Sequence, residues 1–138
     1  MSRRAIVFIA MSIAVSVSVA PAFGERRDID LHDYDDDLMR DLDKTIKYFE
    51  PDITARNAQG ALDDAAILQD GFKYTADYFA KKDNAEDAVQ ISKDGLKFVA
   101  SAIKSVSESD FDAAAEAARG AARTCRACHD TYKPLKKQ

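Results

Sequence analysis

Four stretches of the chain carry apolar side chains at alternating steps of three and four residues, the spacing that lines up one face of a helix. Leu31, Leu38, Leu42, Ile46 and Phe49 form the first stripe. It predicts a helix over Leu31–Phe49, stopped by Pro51, because proline disfavours helix at the residue before it. Ala58, Leu62, Ala65, Gln69, Phe72, Ala76 and Phe79 form an unbroken second seam and predict a helix over Ile53–Lys81. Gly60 and Gly71 lie within it, where a bend or close packing is allowed. Ala88, Ile91, Leu96, Val99, Ile103 and Val106, with Phe98 nearby, predict a third helix over Ala85–Val106. Phe111, Ala115, Ala118, Ala122, Cys125 and His129 carry the last stripe and predict a fourth over Phe111–Lys133, ended by Pro134. Lys81-Lys82-Asp83-Asn84 and Ser107-Glu108-Ser109-Asp110 read as turns, the second able to cap the helix after it. No stretch alternates with the period of a strand. The expected class is all-α: an antiparallel up-down-up-down four-helix bundle, since short loops make sequential helices antiparallel. The first helix then begins, and the fourth ends, at the same pole, so residues near 39 meet residues near 129.

The first two dozen residues follow another rule. Arg3 and Arg4 precede an apolar run, Ala5 to Ala20, and Ala20-Pro21-Ala22 and Ala22-Phe23-Gly24 both have the small-residue form of a cleavage site. This is the pattern of a secretory signal peptide over 1–22, or to 24, and the run is short of the ~20 residues that span a bilayer. The expected mature domain is 25–138, without a membrane anchor, exported to the periplasm. Loss of Arg3 and Arg4 leaves 18 basic against 24 acidic residues, a net charge of −6, which argues against a nucleic-acid partner. Acidic residues crowd the first helix start (Asp28, Asp30, Asp33, Asp35, Asp36, Asp37). Carboxylates there favour the helix dipole, and a solvated cap or a docking surface both suit them.

The chain has two cysteines, and both fall in Cys125-Arg126-Ala127-Cys128-His129. Cys-x-x-Cys-His is the attachment motif of c-type haem. Two thiols form thioether bonds to the haem vinyl groups, and the adjoining histidine supplies an imidazole nitrogen to iron. On a helix Cys125 and Cys128 share a face, with His129 on its edge. A structural zinc site wants four Cys or His ligands, and only a distant His32 is left to add. A thioredoxin-like pair belongs near a βαβ pattern, and a disulfide across one helical turn constrains almost nothing. Attachment of haem outside the cytoplasm accords with the export signal. The expected cofactor is one covalently attached haem c, with Cys125 and Cys128 as thioether links and His129 as the proximal iron ligand.

The second axial position decides what such a haem does. With Met1 and Met11 in the leader, Met39 is the one methionine of the mature chain. It stands in the first turns of the first helix, one turn before Leu42, at the expected level of His129. Core filling is the ordinary role of such a methionine; here distal ligation of iron is the alternative. His32 reads as a surface residue near the helix cap.

A helical bundle ending in Cys125-Arg126-Ala127-Cys128-His129-Asp130-Thr131-Tyr132-Lys133 resembles the class II cytochromes c, the family of cytochrome c′, over the whole mature chain. That family ends in the motif followed by an acidic, an aromatic and a basic residue. Tyr34 and Leu42 flank the position where members carry an axial methionine or an apolar distal residue, and Met39 falls there. The resemblance implies a low-spin, methionine-ligated electron carrier rather than an enzyme, with redox proteins as partners. The alternative within the family is a five-coordinate cytochrome c′ that binds NO or CO. Two departures stand out. Asp35, Asp36 and Asp37 follow Tyr34 where the family often has an arginine, and the connection between the second and third helices is short. They leave Leu38 and Leu42 as alternatives to Met39 at the iron. The resemblance also leaves a homodimer through the first helices open. Outside redox chemistry, the rival is a four-helix interaction module with incidental cysteines. Tyr132 is expected to pack on the haem or a neighbouring helix. Arg119, Arg123, Arg126, Lys133, Lys136 and Lys137 gather toward the end of the fourth helix, as a docking rim for an acidic partner or as a complement to the helix dipole.

Overall fold

The structure is a computed structural model that describes residues 26, 27 and 29–133. The leader, Asp28, Pro134, Lys136 and Lys137 lie outside the described residues. Four helices follow in order: α1 Asp36–Thr54, α2 Ala58–Phe79, α3 Glu86–Ser107 and α4 Phe111–Tyr132. No strand occurs among the described residues. Each helix packs on two neighbours, α1 on α2 and α4, and α3 on α2 and α4. Contacts between the start of one helix and the end of the next make every neighbouring pair antiparallel. Glu50 near the end of α1 bonds Arg119 early in α4 (2.6 Å), while Met39 at the start of α1 touches His129 at the end of α4. No described helix is long and apolar enough to cross a membrane.

Local chemistry sets the boundaries. The α1 start is later than the apolar stripe suggests: Asp35 is the N-cap, its carboxylate accepting from the Leu38 N–H at 3.0 Å, with Asp36 and Asp37 in the first turn. Leu31 therefore precedes the helix. Its end is also later, for Pro51 sits inside α1 and does not stop it. Proline's fixed φ suits a helix and costs one backbone bond. The last turn is retained because Ile53 is fully buried and the Thr54 hydroxyl donates to the Glu50 carbonyl at 2.9 Å. Ile53 thus closes α1 instead of opening α2. Asn57 caps α2 through the Gly60 N–H (3.1 Å), and Asp110 caps α4 through the Ala113 N–H (3.1 Å). Each connection turns on one left-handed residue: Arg56, Asn84 and Ser109 have φ of 58°, 57° and 60°.

Most predicted seam positions are buried, Ala65, Phe72, Ala76 and Phe79 of α2 and Ala115 and Ala118 of α4 among them, but the buried faces are wider than the predicted lines and leave out Leu62 and Ala122. On α2 the buried line is Ala61, Ala65, Leu68, Phe72 and Phe79, and Leu62 is exposed. On α4 Ala114, Ala117, Ala121 and Thr124 face the core, while Ala122 is exposed. Three interfaces in the ring seat a large side chain on a glycine of the next helix: Leu42 of α1 on Gly71, Phe72 of α2 on Gly95, and Phe98 of α3 on Gly120. A methyl group at any of the three would overlap its knob.

The core is in two blocks. The larger runs from Phe49 and Ile53 through Leu68, Phe72 and Val99 to the alanines of α4, with Cys125 packed at its edge. The smaller holds Tyr78, Phe79, Ala85, Ala88 and Tyr132, with Leu31, Tyr34 and Cys128 packed on it. The motif of α4 therefore bridges the gap between two packed blocks.

Gly71→Ala and Gly95→Ala are expected to destabilise the fold. Overpacking costs about 1–3 kcal/mol, more than the ~1 kcal/mol that alanine gains in helix propensity. Gly60→Ala, whose methyl meets only the Asn57 and Asp52 side chains, is expected to cost less. Urea midpoints of the three variants check this.

Candidate functional site

The gap between the core blocks holds two adjoining cavities that share Met39, Thr75, Cys128 and His129. The first, of about 450 Å³ with its mouth, is walled by Leu42, Leu68, Phe72 and Ile91 and reaches Asp43 and Cys125. The second, about 620 Å³ with its mouth, is bounded by Leu31, Tyr34, Phe79 and Tyr132, with Asp36 and Lys133 at its rim.

Met39 and His129 face each other between the cavities, with Sδ and Nε2 3.4 Å apart. The fold thus brings together residues 90 positions apart, each half-buried. Leu42 lines the first cavity one turn further along α1, and Leu38 packs on the core outside both. Cys125 and Cys128 are free thiols on the same wall as His129. His32 is elsewhere: it is exposed on the turn before α1, bonded to Asp30 at 2.8 Å.

The cavity walls offer few polar groups. Thr75 donates to the Gly71 carbonyl (2.8 Å), Ser92 to Ala88 (2.8 Å) and Thr124 to Ala121 (2.7 Å), so their hydroxyls are spent on their own helices. Thr75 also accepts from the Tyr34 hydroxyl at 2.7 Å, and burial raises that phenol to about 12. Burial pushes the Cys125 thiol up to about 12, with the Asp43 carboxylate adding to it. Burial likewise lifts Cys128 to about 11, reinforced by Asp87. His129 moves the other way, its pKa lowered by burial and by Lys133 against the opposing pull of Asp43 and Asp130. At neutral pH its imidazole is uncharged and has a lone pair to give.

Residues ahead of α1 pack beside the second cavity. Arg27 donates its backbone N–H to the Thr131 carbonyl at 3.0 Å, and its guanidinium pairs with Asp87 at 3.1 Å and lies over the Tyr132 ring. Tyr132 is buried against Phe79 and gives its hydroxyl to Asp87. Asp33 takes hydrogen bonds from Tyr78 (2.6 Å) and Lys82 (2.9 Å), which hold its carboxyl down at about 2. The acidic stretch before α1 therefore divides: Asp35, Asp36 and Asp37 serve the helix start, and Asp33 ties this stretch to α2.

The basic residues near the motif are unequal. Arg119 is paired with Glu50 and Glu116, and Arg123 with Glu116. Arg126 and Lys133 make no ion pair among the described residues. Asp43, Thr75, Ser92 and Thr124 are site residues that the apolar stripes do not select. Asp43 is legible in another way, lying four residues after Met39 on the same helical face. In comparison with known proteins, no family model, curated sequence or solved structure matches the chain.

Two outcomes are expected of the folded chain without cofactor. Iodoacetamide at neutral pH alkylates Cys125 and Cys128 slowly while the chain is folded and readily in denaturant, because the thiolate is the nucleophile. Stability also falls with acidity in two windows. The lowered His129 pKa means the unfolded chain binds the proton first, so stability is lost as pH drops below the usual 6.5. Asp33 adds a loss between 3.8 and about 2. Chemical denaturation against pH measures both, and His129→Gln is expected to remove the first.

Proposed function

We propose that this chain is an exported, periplasmic electron carrier of the class II cytochrome c kind, with one covalent haem c held by Cys125 and Cys128 and ligated by His129 and Met39. The observation that most supports it is the approach of His129 Nε2 to Met39 Sδ between two cavities whose common wall carries the motif.

The donor set suits the group. Cys125 and Cys128 stand one turn apart and unpaired, placed to anchor a flat macrocycle at one edge. His129 would supply an imidazole nitrogen and Met39 a thioether sulfur to the iron, a pairing that raises the reduction potential. Leu42, Leu68, Phe72 and Ile91 give the cavity an apolar lining. Bound there, haem supplies a one-electron couple at iron. In this reading the protein's own work is to fix ligand geometry and dielectric. Arg126 and Lys133, which make no ion pair among the described residues, suit an acidic redox partner, with salt-sensitive association.

Expression with a haem-attachment system tests the reading. Colour that stays with the denatured chain, and is lost in the Cys125→Ala, Cys128→Ala double variant, is the expected result. Met39→Leu is expected to turn a low-spin spectrum high-spin. An unchanged spectrum in that variant would transfer the assignment to a five-coordinate, NO- or CO-binding cytochrome. A colourless chain would leave the interaction module.

A further inference from the structure

We propose that Asp43 is the charge that sets the electron affinity of this site, holding the iron toward its ferric state. The proposal rests on the haem reading above. Asp43 is the one carboxylate among the residues that line the first cavity, whose other walls are apolar side chains and hydroxyls already bonded to their own helices. It lies one turn from Met39 on α1 and shares the cavity with Cys125 and His129 on α4. Its side chain has no hydrogen bond or ion pair among the described residues, so its charge is not cancelled locally.

The field of a carboxylate in that lining favours an iron centre that has lost an electron over one that has gained it. The other charges around His129 are Lys133, which opposes Asp43, and Asp130, which adds to it. On α1, Asp36 stands only at the rim of the second cavity. The described linings contributed by α2 and α3 carry no charged side chain.

Asp43 is a positioning charge rather than a ligand, and the midpoint potential reads it directly. Spectroelectrochemical titration of the haem-loaded wild type, Asp43→Asn, Asp43→Glu and Asp36→Asn at low ionic strength is the experiment. The expected result is a positive shift for Asp43→Asn, a value near wild type for Asp43→Glu, and a smaller shift for Asp36→Asn. A covalently loaded Asp43→Asn protein with the wild-type potential would overturn the proposal and leave the haem reading standing. Equal shifts in Asp43→Asn and Asp43→Glu would assign the effect to packing and overturn it too. A wild-type chain that takes up no covalent haem overturns both readings.

Discussion

The antiparallel contact between the start of α1 and the end of α4 is the constraint on which the site depends. It sets Met39 against His129, and it does so where the hydrophobic core is interrupted. Below the contact, Phe49, Ile53, Leu68 and Val99 are fully buried. Above it, Tyr78, Phe79 and Tyr132 form a second block under the segment from Arg27 to Tyr34. Two core blocks joined by the helices leave a slot between them. The glycine seats under Leu42 and Phe72 matter for the same reason, since both side chains are at once interface knobs and cavity wall.

The polar groups near the slot are arranged so that few point into it. Thr75, Ser92 and Thr124 bond to carbonyls of their own helices, and Tyr34 and Tyr132 spend their hydroxyls on Thr75 and Asp87. What remains unspent is a neutral imidazole, a thioether, two protonated thiols and one carboxylate. Burial explains the first and third of these states, for it disfavours the charged form of every group it covers.

Much of this was legible in the residues. Apolar spacing of three and four located all four helices, and the short loops made them antiparallel, which placed residue 39 beside residue 129. The Cys125–His129 motif is the sequence feature on which the haem proposal rests. Helix ends were less legible where tertiary burial opposed a local rule. Ile53 is buried deeply enough to carry α1 past Pro51, and the Asp35 cap starts the helix after Leu31 even though Leu31 continues the stripe. The α2 seam was misplaced at Leu62 because a step of three or four is ambiguous by one residue, and the Gly71 seat for Leu42 resolves it. Asp43 was passed over because a search for apolar stripes discards charges, although it stands one turn from Met39.

The most direct test of the account is the visible absorption spectrum of the purified, haem-loaded protein, oxidised and reduced, with and without CO. The account predicts a low-spin spectrum with the charge-transfer band of methionine–iron ligation and little response to CO. A high-spin spectrum that shifts strongly with CO would contradict it, for it would mean that Met39 does not hold the sixth position and that the slot is open to gases.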